Sequence, residues 1–205
     1  MSTASVTARP GAVLADLLPS PKLSASLEQG GAPTRVRDAV LVLGGAALTG
    51  LAAQIAVPVP GSPVPVTGQT FAALLVGTTL GARRGFAALA LYAAAGLAGV
   101  PWFAQGGSGT SVSFGYVLGM LLAAAAVGAL ARRGADRSPL RMAGTMLLGE
   151  AIIYAVGVPY LAFAAHMSAT AAIAAGLTPF LIGDALKAAL AMGVLPTAWK
   201  LTNKG

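Results

Sequence analysis

Asp184 and Lys187 stand three residues apart inside a long apolar stretch near the end of the chain. At that spacing a carboxylate and an ammonium share one helix face, so they can pair with each other or with a ligand held between them. Glu150 is the third acidic or basic residue within the apolar stretches. A charge at the centre of a membrane helix costs about 2.5 to 3.5 kcal/mol on insertion scales, so each of the three needs a reason to be there. Tyr154 lies one turn beyond Glu150 on the same face and points the same polar stripe toward the cavity expected around Asp184. Glu150 itself reads as a helix-packing hydrogen bond or an interfacial residue. Two charge-free loops offer a cover. Trp102 and Phe103 bring flat apolar faces, and Gly106, Gly107 and Gly109 let backbone amides come close to a ligand. Trp102 taken alone reads equally well as an interfacial anchor, and the lone His166 as a loop residue. No phosphate-binding Gly-x-x-x-x-Gly-Lys-[Ser/Thr] loop, His-Glu-x-x-His motif or Gly-x-Ser-x-Gly elbow occurs, which disfavours an enzyme. The absence of cysteine excludes disulfides and thiolate metal sites, and no cofactor is implied.

The elements that must position these residues are membrane helices. Of the 205 residues 56% are hydrophobic and 9% charged, with a mean hydropathy of +0.78, against about 25% charged in soluble domains. An all-α, polytopic integral membrane protein follows, with room for about six crossings of roughly 20 residues each. The crossings are expected at Ala39 to Val57, Thr70 to Leu80, Gly85 to Val100, Phe114 to Ala131, Met142 to Ala165 and Leu177 to Ala198. The second is short, so part of the Pro-rich stretch from Pro58 to Gln69 must lie at membrane depth, covered by protein. Pro159 is expected to kink the fifth. Counting inward at 1.5 Å per residue places Asp184 roughly 12 Å below the outer end of the sixth.

The flanks at 35 to 38, 83 to 84, 132 to 141 and 200 to 204 carry all the juxtamembrane Lys and Arg, while the other three loops carry none. The positive-inside rule then puts both termini in the cytoplasm and the charge-free loops outside, in the inner or plasma membrane. The net charge of +7 is accounted for in this way. It is not a nucleic-acid surface, because the basic residues sit singly or in pairs beside apolar runs. Residues 1–34 read as a poorly ordered cytoplasmic tail with at most one short surface helix, and residues 35–205 as the membrane domain. Ala46 with Gly50 and Ala52 with Ala56 put small residues at four-residue spacing in the first crossing, a candidate docking face for a partner helix that packing within the chain would equally explain.

Several blocks in order carry a resemblance: Pro65-Val66-Thr67-Gly68-Gln69-Thr70, Gly81-Ala82-Arg83-Arg84-Gly85, Leu91 to Pro101, the Phe103 to Gly107 loop, Gly115-Tyr116, Ile153-Tyr154 with Gly157-Val158-Pro159, and Pro179 to Lys187. Over about residues 35 to 200 the chain resembles the BioY biotin-transporter substrate-binding components of energy-coupling-factor (ECF) transporters. That resemblance implies a six-helix bundle that captures biotin from outside and works with a membrane coupling protein and two ATPase subunits. It would have Asp184 accept a ureido N–H and Lys187 donate to the ureido oxygen. Trp102, Phe103 and Tyr154 would cover the ring, with Gln69, Tyr116 and the amides of Gly106 and Gly107 completing the site. Two other classes stay open on the residues alone. One is a membrane scaffold in which the buried pair sets helix packing, separable by the lack of ligand-induced stabilisation. The other is a self-sufficient carrier coupled to protons through Glu150 and Asp184, separable by uptake without an ATPase.

Overall fold

The computed structural model describes residues 11–18 and 32–202. Seven α-helices dominate them: α1 Ala32–Ala53, α2 Gln69–Leu80, α3 Ala82–Leu97, α4 Phe114–Arg132, α5 Pro139–Ala164, α6 Ala169–Gly176 and α7 Leu181–Thr202. In a hydrocarbon environment backbone polar groups must be satisfied within the segment, and a helix does so with local bonds. Four segments are long and apolar enough to cross a membrane: Thr34–Ala53, Phe114–Arg132, Pro139–Ala164 and Ala169–Thr202, the last taken through its break; α2 is a shorter apolar helix.

Where the chain departs from regular helix, local chemistry gives the reason. α1 stops at Ala53, short of the expected Val57, because Ala56–Val57 (β1) pairs antiparallel with Val66–Thr67 (β2), Ala56 opposite Thr67. The four prolines between them supply no N–H for a helix, so the connection becomes a hairpin. Gly81 joins α2 to α3 at φ +82° with the Arg132 guanidinium against it, a conformation that side chains rarely adopt. The Ala-rich stretch between the expected fifth and sixth crossings is the helix α6, whose N-cap Ser168 hydroxyl accepts from the Ala171 N–H at 3.2 Å. A 3-10 turn, Thr178–Phe180, with Pro179 in it, then interrupts the chain. The last long helix therefore begins at Leu181, not at Leu177.

α4 is central, packed against α5 on one side and against α2 and α3 on the other, while α1 lies against α3 and α2, and α7 against α5. Glycines let these backbones touch. A Cβ on Gly77 would come within 2.5 Å of the Ala124 carbonyl oxygen, and one on Gly119 within 2.8 Å of the Ile153 backbone. Leu74, Leu89, Tyr92, Met120, Met146 and Ile153 fill the interior, whereas Val40, Leu51, Leu147, Phe163, Ile182 and Leu186 are exposed. A surface as apolar as this belongs against lipid.

The small-residue face of α1 turns inward. Ala46 is wholly buried and the Trp102 ring rests on Gly50, while Ala52 packs against Gly68 and Ala56 sits in the hairpin. Close packing within the chain thus occupies the face read as a partner surface, and α1 presents Val40, Leu43, Leu51 and Ile55 outward instead.

One end of the bundle gathers the arginines. Arg84 pairs with Asp38 of α1 at 2.9 Å and with Asp16 at 2.7 Å. Arg137 lies over the Trp199 ring, 4.6 Å from its centroid, and the Trp199 indole N–H donates to Asp136 at 2.6 Å. Residues 11–18, within the segment read as a tail, pack here through a 3-10 turn, Leu14–Leu17, that buries Val13 and Ala15. The rest of that tail, 1–10 and 19–31, lies outside the described residues.

Candidate functional site

The opposite end of the bundle is where the charge-free loops meet the first turns of α2 and α7. Asp184 falls in the first turn of α7 and is 8% exposed. Three residues from Leu181 place it about 4.5 Å along the axis, shallower than the 12 Å expected, because the chain breaks before Leu181. There the positive end of the helix dipole favours a carboxylate.

Asp184 is held from two directions. The Tyr154 hydroxyl of α5 donates to Oδ2, and the Lys187 ammonium donates to Oδ1 at 3.1 Å. Lys187 also donates to Thr70 Oγ1 at 2.8 Å, which ties α7 to the first turn of α2. An ammonium has three N–H donors and a carboxylate about four acceptor sites, so each keeps capacity for a further partner. Beside Thr70, Gln69 is 5% exposed, and its Nε2 is buried without a hydrogen-bond partner among the described residues. A buried amide left this way costs about 1 to 3 kcal/mol unless something accepts from it.

These groups share one cavity, about 600 Å³ of empty space including the part open to the outside, lined by Gln69, Thr70, Tyr154, Asp184 and Lys187 on its polar side. Phe103, Phe114, Tyr116, Met120 and Phe180 form its apolar walls. This mix of walls suits a small molecule with a flat apolar body and a few polar atoms. The walls are fixed by glycines on neighbouring helices. The Phe103 ring occupies the space a side chain on Gly96 would need, and Tyr116 fills gaps left by Gly157 and Gly176. Tyr116 also donates its hydroxyl to the Gly176 carbonyl at 2.7 Å, which fastens α6 to α4. The Tyr116 ring faces the cavity while its hydroxyl serves the fold.

Six of the nine substrate-binding candidates therefore line the cavity, Gln69, Phe103, Tyr116, Tyr154, Asp184 and Lys187, and three do not. Trp102 points the other way. Its indole N–H donates to the Tyr92 carbonyl at 3.0 Å, its ring stacks at 5.2 Å from that of Tyr92, and it covers Gly50. It anchors the loop to α1 and α3. The Gly106 amide donates to Gln54 Oε1 at 3.1 Å, and the Gly107 carbonyl accepts from the Phe103 N–H at 2.9 Å. The loop glycines thus serve the loop's own closure. Glu150 is 7% exposed, and neither of its buried oxygens has a hydrogen-bond partner among the described residues. That is neither the packing hydrogen bond nor the interfacial position expected of it.

Sequence reasoning missed Thr70 and Gln54. Thr70 closes the Pro65 to Thr70 block and opens an apolar helix, but nothing in the sequence pairs it with Lys187. Gln54 donates to the carbonyls of Gly50, Trp102 and Phe103 at 3.0, 3.1 and 3.2 Å, a role that depends on a loop some 50 residues away and leaves no local trace. No group of three or more His, Cys, Asp or Glu able to hold a metal occurs among the described residues.

The model of the BioY family matches residues 23–204. The chain is 41% identical over 119 residues to the probable biotin transporter BioY of Lysinibacillus sphaericus, covering 57% of this chain and 60% of that protein's length. It is 33% identical over 160 residues to biotin transporter BioY2 of Lactococcus lactis subsp. cremoris, covering 77% of this chain and 87% of that one. Its fold is similar to a crystal structure of the S-component for biotin from an ECF-type ABC transporter, with a TM-score of 0.73, 21% identity, and coverage of 82% and 93% of the two chains. The chain belongs to the BioY family.

Proposed function

We propose that this BioY-family chain is the biotin-binding subunit of an ECF-type uptake transporter, taking biotin at the charge-free end of its bundle. The observation that carries this reading is the linked set Tyr154, Asp184, Lys187 and Thr70 at the polar edge of an aromatic-walled cavity. Biotin presents two ureido N–H donors, one strongly polarised carbonyl and an apolar fused ring. Asp184 accepts a ureido N–H, while the remaining N–H of Lys187 and the amide of Gln69 donate to acceptors on the ligand. Phe103 and Tyr154 close on the ring. Because Lys187 and Asp184 already compensate each other, a ligand with no charge at this end enters without leaving a buried charge unpaired.

Six crossings follow if α1, α2, α3, α4, α5 and α7 each traverse the bilayer, with the hairpin and the 98–113 loop completing the short α2 and α3 at the outer end. The positive-inside rule then sets the arginine end and both termini in the cytoplasm of a plasma-membrane protein. The chain carries no phosphate-binding loop, so inward delivery falls to a membrane coupling protein and ATPase subunits that approach from the arginine end.

The test is biotin binding by the purified chain. A hydrogen bond to a charged group is worth about 1.5 to 3 kcal/mol, so Asp184→Asn is expected to weaken binding at least ten-fold while the protein still inserts and purifies. Unchanged affinity in that variant would sink the assignment of Asp184.

A further inference from the structure

The arginine end carries a feature that the cavity does not use. Val13 and Ala15 are buried in the same apolar cluster as the helix core. Asp16 ties them down from outside, accepting from the Arg84 guanidinium at 2.7 Å and approaching that of Arg132 at 3.9 Å. Its second oxygen accepts from the Val13 N–H at 3.1 Å and closes the turn. The carbonyls of Gly11 and Ala12 accept from Arg132 and Arg137 at 3.1 and 3.4 Å. One short segment thus bridges the start of α3, the end of α4 and the loop before α5. It precedes residue 23, where the BioY family match begins.

We infer that residues 11–18 act in cis as a removable cap over an arginine-rimmed apolar surface, one that an acidic face of the coupling subunits would otherwise occupy. This rests on the proposed function, which brings those subunits to this end. Three observations favour exchange over a permanent staple. The cap fully buries only two small side chains, Val13 and Ala15, with Leu14 packed part-buried beside them, and its other contacts are polar. Arg84 keeps Asp38 at 2.9 Å when Asp16 leaves, so release orphans no charge there. Residues 19–31 separate the cap from α1, and thirteen residues span up to about 43 Å when extended, so the cap can depart without moving α1. The occupant's chemistry follows from the surface. Removing Asp16 leaves Arg132 and Arg137 without a local carboxylate other than the buried Asp136, next to an apolar patch that Val13, Ala15 and part of Leu14 had covered. An acidic protein segment with small apolar side chains fits both.

The full chain, in nanodiscs of zwitterionic lipid, would be titrated with the coupling protein and ATPase module, with biotin binding measured on the same samples. Asp16→Asn is expected to tighten module association at least three-fold, Asp16→Glu to behave as the parent, and biotin affinity to be the same in all three. As a control on folding, a protease site placed within 19–31 and cut after purification should release the cap from folded protein with the same gain. Equal or weaker association after release, with biotin binding intact, overturns the inference and makes the segment a structural staple. Cap release driven by anionic lipid in the absence of the module, and not by the module in zwitterionic lipid, overturns the protein partner in favour of lipid headgroups. Absence of biotin binding in the parent chain overturns the functional reading instead, and the module titration still decides the cap.

Discussion

Lys187 commits two of its three N–H groups to Asp184 and Thr70, so the direction of the third is set by residues on two helices. Thr70 thereby becomes a positioning residue, its hydroxyl holding the ammonium at the cavity's edge. Thr70→Val keeps the shape and removes the acceptor, leaving Lys187 free to swing toward Asp184. Thr70→Ser restores the oxygen. The expected outcome is a biotin affinity about ten-fold lower for valine and near the parent value for serine, measured by calorimetry on detergent-purified protein, since one hydrogen bond to a charged group is at stake. Equal loss in both variants would make Thr70 a packing residue. Asp184 and Lys187 were legible in the sequence because charge in hydrocarbon is conspicuous. Thr70 was not, because a threonine bonds its own helix so cheaply that it stands out nowhere; Thr78 and Thr79 do so here.

Elements place these residues, and the least legible element matters most. Hydropathy runs unbroken from Ala169 to Thr202, so nothing in its average separates α6 from α7. The break is written in Gly176, whose α-carbon leaves room for the Tyr116 hydroxyl, and in Pro179. Both signals are local and weak beside the apolar run, and missing them moves Asp184 by about one and a half turns. The 98–113 loop shows the converse. Its aromatics and glycines were legible as a cover, but of these only Phe103 faces the cavity, because Gln54, just past α1, and the Tyr92 backbone on α3 hold Gly106 and Trp102 away from it. Phe103 is wedged where Gly96 has no side chain. Gly96→Val must therefore expel the ring, at an overpacking cost of about 1 to 3 kcal/mol. A lower melting temperature together with faster hydrogen exchange across the 98–113 amides is expected, with the α4 amides still protected. Uniform loss of protection throughout the chain would mean that the wedge supports the whole bundle and not the loop alone.

At the scale of the molecule the two ends are built on opposite electrostatic principles, and their carboxylates report it. The cavity end holds a compensated pair. The arginine end holds carboxylates among guanidinium groups, two of which titrate in contrary directions. Burial acts to raise the pKa of Asp16, but the hydrogen bonds from Arg84 and the Val13 amide and the charges of Arg84 and Arg132 outweigh it and hold the carboxyl below its ordinary range. A native pKa below the unfolded one gives stability that is complete above the ordinary carboxylate range and lost as pH falls through the lowered value. Asp136 is wholly buried, and burial pushes its pKa up despite the Trp199 indole bond and the charge of Arg137. Ionising it in the folded state is therefore penalised, and the penalty enters as pH rises from the unfolded value through the raised one. Asp136→Asn keeps an oxygen for the Trp199 N–H and removes the ionisation. Relative to the parent chain its melting temperature should climb as pH rises out of the acid range, and then run parallel once Asp136 is ionised. Asp16→Asn should instead lose ground to the parent over that rise. Thermal unfolding in nanodiscs across a pH series measures both, and two curves of the same sign would overturn the assignment of these two carboxylates to opposing roles at one end of the bundle.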